Sequence, residues 1–141
     1  MPNEKLRCGE LIKRIGDVFE TNANKNLQEN GITLSQMKML VVLYHTADGS
    51  AMLKELEQHF GSSQATIAGI ASRLERKGLV ESYIDAADRR IKHVRLSEAG
   101  KQLCCRSKSS MEAGEAWLLA ALEPQEQQEL QRLLQKVYDH L

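Results

Sequence analysis

Neither charge is in excess: 19 Lys and Arg stand against 19 Asp and Glu, a formal net charge of zero over 141 residues. Overall charge therefore gives no argument for a nucleic-acid partner, and any such claim must rest on where the charges lie. Long apolar runs are missing too. Met37 to Tyr44 and Trp117 to Leu122 fall far short of the ~18 residues that suggest a membrane span, so no membrane partner is expected. The opening Met1-Pro2-Asn3-Glu4-Lys5-Leu6-Arg7 has charges where a signal peptide needs an unbroken apolar region, and the expected location is cytoplasmic. Cys8, Cys104 and Cys105 form an odd set without CxxC spacing, the pattern of neither a secreted disulfide framework nor a zinc ribbon. His45, His59, His93 and His140 lack the HxxxH or HxxE spacing that turns two ligands onto one helical face. No metal and no cofactor is expected. A nucleophile with its base, a glycine-rich phosphate loop and converging carboxylates are also absent at recognisable spacing, so the chain reads as a non-enzyme.

What is present suits one folded domain, with 42% apolar and 27% charged residues. Leu11, Ile15, Val18, Phe19 and Asn22 recur at helical spacing and predict a first helix to about Gln28, ended by Asn30-Gly31. Thr33 with Gln36 is a capping-box pair, opening a second helix that turns Leu34, Met37, Leu40, Val41 and Tyr44 to one face. After a break at Asp48-Gly49-Ser50, Leu53, Leu56 and Phe60 predict a short third helix that exits at Gly61. Ser62 or Ser63 caps a fourth, with Ile67, Ile70, Ala71 and Leu74 as its buried stripe and Gly78 as its stop. Residues 80–84 and 91–96 are β-branched runs around a polar tip, predicting a hairpin as the only sheet. Ser97 caps a fifth helix to about Leu122, and Glu123-Pro124 opens a sixth, seamed by Leu130, Leu133, Leu134, Val137, Tyr138 and Leu141.

The fold class that follows is mainly α with a small β-hairpin wing: a winged helix-turn-helix between terminal helices. The lobe, residues 33–96, has a core of its own and cannot cover the apolar stripes of residues 1–32 and 97–141, so those segments are expected to be dimerisation helices. The fourth helix would lie in the major groove of double-stranded DNA. Ser63, Gln64 and Thr66 at its N-terminus can hydrogen-bond phosphates or base edges, small Ala65, Ala68 and Gly69 allow close approach, and Arg73 follows on the outer face. Arg76 and Lys77 read as a solvated helix end that complements the dipole. In the hairpin, Arg89, Arg90, Lys92 and Arg95 with His93 form a cationic patch, from which an arginine can enter the minor groove. Asp88 is expected to orient an arginine rather than touch DNA.

Leu53-Lys54-Glu55-Leu56, Gln64-Ala65-Thr66-Ile67, Arg73-Leu74-Glu75-Arg76-Lys77-Gly78-Leu79-Val80, Asp88-Arg89-Arg90 and Leu96-Ser97-Glu98-Ala99-Gly100 resemble the successive motifs of the MarR (multiple antibiotic resistance regulator) family, in their usual order. The resemblance implies a homodimer held by its terminal helices on a pseudo-palindromic operator, often a repressor released by small aromatic ligands, oxidants or metals. Ser82 and Gly69 depart from the family by standing where a basic residue is frequent. A ligand pocket would lie near Phe19, Met37 and Tyr44. The alternative reading is a helical protein-interaction adaptor whose helix-turn-helix is architectural, since fold alone does not prove function.

Overall fold

Local signals place most element ends. The structure, a computed structural model, describes residues 5–141; the first four residues, part of the opening read against a signal peptide, lie outside the described residues. Helix α1 (Cys8–Leu27) runs into a 3-10 turn (Gln28–Asn30), followed by α2 (Leu34–Tyr44), β1 (Ser50–Met52), α3 (Leu53–Phe60), α4 (Gln64–Arg76), β2 (Val80–Ile84), β3 (Lys92–Leu96), α5 (Glu98–Leu118) and α6 (Pro124–His140). The predicted capping box opens α2: the Gln36 N–H donates to Thr33 Oγ1 at 3.2 Å and the Thr33 N–H to Gln36 Oε1 at 3.3 Å.

The chain divides after Lys108 into two compact units. In the first, the core gathers on α2, α4 and the sheet. Met39, Leu40, Leu43, Leu56, Ile67, Leu74, Val80 and Val94 are fully buried, each contributing about 1.5–3 kcal/mol by burial alone. Helix α2 corrects the single-face expectation. Met39 and Leu43 are buried beside Met37 and Leu40, whereas Tyr44 is exposed; a helix surrounded by neighbours is apolar nearly all round.

The sheet also departs from expectation, having three strands in the order β1-β3-β2, all antiparallel. Strand β1 falls in the segment read as a break. Asp48 accepts the Ser50 N–H and hydroxyl at 3.1 and 2.8 Å, making the turn, and Ala51 then pairs with Val94. Three residues are too few for a period to register. Strand β3 begins at Lys92 because Ile91 closes the wing loop, its N–H bonded to Asp88 O at 3.0 Å.

Helix α5 starts on the sheet. Ser97 Oγ donates to Gly78 O at 2.6 Å and accepts the Gly100 N–H at 3.1 Å. The second unit, Ser109–Leu141, holds the end of α5 and α6. Helix α5 stops at Leu118, short of the expected Leu122, because the Gln127 side chain takes up the carbonyls of Leu119 and Leu122, both at 3.1 Å. Pro124 stands in the first turn of α6, as its sequence position predicts. Helix α6 buries no residue, and Leu133, Leu134, Val137 and Tyr138 are exposed.

Candidate nucleic-acid interface

Between α3 and α4 the chain turns at Gly61, whose φ of 61° and ψ of 31° lie in the left-handed region that costs a residue with a Cβ but not glycine. Ser63 caps α4: its Oγ accepts the Thr66 N–H at 3.2 Å and lies 2.9 Å from Thr66 Oγ1. Ile67, Ala71 and Leu74 turn into the core. Ser63, Gln64, Ala65 and Thr66 are left exposed, and Ala68 and Gly69 half-buried. The outer face of α4 thus begins with hydroxyls, an amide side chain and unpaired N–H groups at the positive end of the dipole, a surface suited to an anion. Exposed Arg73 has no ion pair among the described residues, and its Nη1 lies 3.6 Å from where a Cβ on residue 69 would stand. A side chain there would make only ordinary van der Waals contact with the guanidinium.

Lys77, the residue that closes α4, acts differently from its sequence reading. It is not a freely solvated helix end. Its Nζ donates to Gly31 O and, at 2.7 Å, to Oε1 of buried Gln36, tying the end of α4 to the start of α2. Glu75 accepts the Ser82 N–H at 3.0 Å and joins α4 to β2. Of the residues near which a ligand pocket is expected, Met37 is core and the Tyr44 hydroxyl sits at the surface 3.4 Å from Cys105 Sγ. A groove of about 860 Å³ runs along α4, lined by Asn24, Ile32, Thr33, Thr66, Ile70 and Arg73 among others.

The wing tip is a hydrogen-bonded loop. Asp85 Oδ2 accepts the N–H groups of Ala87 and Asp88, both at 3.0 Å. Asp88 takes the Arg90 N–H at 3.0 Å and its guanidinium through two bonds of 3.1 Å. That guanidinium holds the Asp88 carboxyl below the usual carboxylate range, and the carboxylate pushes the Arg90 pKa up. The Arg90 side chain is 90% exposed, so the pair adds little stability in water and acts mainly on its direction. Arg89 and Lys92 are exposed without an ion pair among the described residues. His93 and Arg95, counted in the cationic patch from sequence, are each engaged by a neighbouring side chain, Arg95 while remaining exposed. His93 Nε2 donates to Asp85 Oδ1 at 2.8 Å, and Arg95 lies 4.7 Å over the Tyr83 ring. Arg89, Arg90 and Lys92 are exposed cations of the wing, and Arg95 is exposed beside Tyr83.

Cys8 and Cys105 are exposed thiols, while Cys104 is buried and its pKa pushed up by that burial. Among the described residues, no group of three or more His, Cys, Asp or Glu could hold a metal, and no helix is long and apolar enough to cross a membrane.

Residues 32–92 match the MarR family. The chain is similar to the HTH-type transcriptional regulator YwaE of Bacillus subtilis, 32% identical over 93 residues. That match covers 66% of this chain and 54% of YwaE, so it spans about half the relative's length. It is also similar to the transcriptional repressor MprA of Escherichia coli, 28% identical over 140 residues, covering 99% of this chain and 80% of MprA. Among solved structures it resembles a mutant MarR from E. coli complexed with operator DNA, with a TM-score of 0.82, 25% identity and 92% and 91% of the two chains covered. The fold expected from sequence, a mainly helical winged helix, is the fold found.

Proposed function

We propose that this chain, whose residues 32–92 match the MarR family, is a cytoplasmic, non-enzymatic MarR-family transcriptional repressor that binds a pseudo-palindromic operator in double-stranded DNA as a homodimer. The observation that carries the reading is one lobe with the exposed polar N-terminus of α4 and the exposed cations Arg89, Arg90 and Lys92 of the wing. Ser63, Gln64 and Thr66 would bond phosphates or base edges, Ala65, Ala68 and Gly69 let the helix approach, and Arg73 adds the charge on its outer face. In the wing, Asp88 aims Arg90 at the minor groove, where the potential is most negative. Residues 1–32 and 97–141 serve as dimerisation helices around the lobe 33–96.

Arg90→Ala is expected to weaken operator binding by about 1–3 kcal/mol and to lower the magnitude of the salt slope by roughly one. Fluorescence anisotropy over a salt series reads both, with a melting curve to confirm folding. Unchanged affinity in a folded variant would remove the wing from the interface. The reading extends to release by small aromatic acids, supported by the groove along α4, which joins apolar Ile32 and Ile70 to the Arg73 cation. A ligand there would bind against the same helix that meets DNA, so the two equilibria are linked. A panel of phenolic acids is expected to contain members that weaken operator binding severalfold, and a panel with no effect would exclude this effector class.

A further inference from the structure

Arginines at the tip of a loop meet a groove well only if the loop is already shaped, because ordering it on binding costs conformational entropy for every side chain immobilised. The shape here starts at Asp85. One of its oxygens ties down the Ala87 and Asp88 N–H groups, and Asp88 in turn aims Arg90. The other oxygen is bonded to His93 Nε2 across the hairpin at 2.8 Å. His93 is itself fixed. It stands opposite Tyr83 in the β2–β3 register and opposite Met52 in the β1–β3 register, with its ring parallel to that of Tyr83 at 5° and 4.9 Å. The Tyr83 ring also carries the Arg95 guanidinium at 4.7 Å. The charged and titratable groups around the imidazole are thus Asp85, Tyr83 and Arg95, with Asp88 beyond Asp85 in the loop and Met52 contributing no charge from β1.

We propose that His93 is the positioning residue of the wing: clamped in the sheet, it holds Asp85, and Asp85 holds the loop that presents Arg89 and Arg90. The inference rests on the DNA-binding reading for its functional consequence but not for the anchor itself. The Asp85 carboxyl is held below the usual carboxylate range, first by the His93 hydrogen bond and then by the N–H groups of Asp88 and Ala87. A carboxyl lowered in the folded state stabilises above its unfolded pKa and loses that contribution as pH falls through its folded pKa. The loop therefore stays tied through ordinary carboxylate titration and loosens only at more acid pH.

The test uses the full chain with two variants. His93→Leu removes the N–H, and His93→Gln keeps one at similar reach. Two readouts need no DNA: ¹³C titration of the Asp85 carboxyl, and hydrogen exchange of the Ala87 and Asp88 amides. A third is anisotropy with a duplex of about 30 base pairs recovered from a random pool, long enough for two half-sites one turn apart. In His93→Leu the Asp85 titration should move up toward the ordinary range, the two amides should exchange faster, and the duplex should bind about tenfold more weakly, within the range of one lost arginine contact. In His93→Gln all three should return close to the parent. If His93→Leu leaves the Asp85 titration and both amides as in the parent, or loosens them while binding the duplex as tightly, the proposal is overturned. A parent that binds no duplex would overturn the repressor reading and the wing's functional role with it, leaving the anchor to stand or fall on Asp85 and the two amides.

Discussion

Deleting Glu123–Leu141 is expected to turn a dimer into a monomeric or aggregating protein and to bring operator affinity down to the non-specific range of ~10⁻⁴–10⁻⁶ M. From a specific affinity of ~10⁻⁸–10⁻¹¹ M, that is a loss of at least about a hundredfold. The reason is apolar surface that the described chain leaves open. Leu133, Leu134, Val137 and Tyr138 on α6 are exposed, and so are Leu11, Ile12, Ile15 and Val18 on α1. Packing these faces against a second copy would take both out of water, the main favourable term in association, set against the entropy of bringing two chains together. One lobe alone has too few phosphate contacts to hold a site, whereas two linked lobes read both half-sites. Light scattering gives the mass and footprinting the protected half-sites. A full chain that stays monomeric at micromolar concentration, or a truncated one that still protects both half-sites, would contradict the dimer.

Gly100→Ala is expected to be strongly destabilising. A Cβ at residue 100 would stand 2.2 Å from Leu79 O and 2.8 Å from Leu96 Cδ1. Leu79 O cannot retreat cheaply, since it accepts the Ser97 N–H at 3.0 Å and the Ser97 hydroxyl in turn bonds Gly78 O. Overpacking ordinarily costs about 1–3 kcal/mol, and a clash with fixed backbone belongs at the upper end. At roughly 2–4 °C per kcal/mol for a chain near this size, the melting temperature should fall by about 6–12 °C. Gly69→Ala is the contrasting case. Its nearest neighbour would be the mobile Arg73 guanidinium at 3.6 Å, and the gain in helix propensity, up to about 1 kcal/mol, should leave the protein as stable or more so. Thermal unfolding of both variants decides this, and a Gly100→Ala protein melting with the parent would show that α5 is not seated as described.

The parts of the fold legible in the sequence are those set by local chemistry. The Thr33–Gln36 box, the Ser63 cap, the Gly61 turn and the Pro124 start each act within four residues, so their signals survive in one dimension. What was illegible depends on contacts far along the chain. Strand β1 exists because Ala51 reaches Val94, and Lys77 left no trace of a partner 41 residues away at Gln36. In the candidate interface, hydroxyls at a helix start and a run of cations mark a polar surface directly. The engagement of those cations does not show, because charge type alone cannot say that His93 is turned to Asp85, Arg90 to Asp88 and Arg95 to Tyr83.

The central claim, a dimer that grips DNA through two lobes, is tested most directly by measuring affinity for a randomly selected duplex over a salt series while counting protomers per duplex. The account predicts two protomers per duplex and log K falling linearly with log salt concentration, with a slope of about −0.9 for each phosphate neutralised. An adaptor with an architectural helix-turn-helix would give no binding at any salt concentration, and that result, in a folded and dimeric protein, would contradict the account.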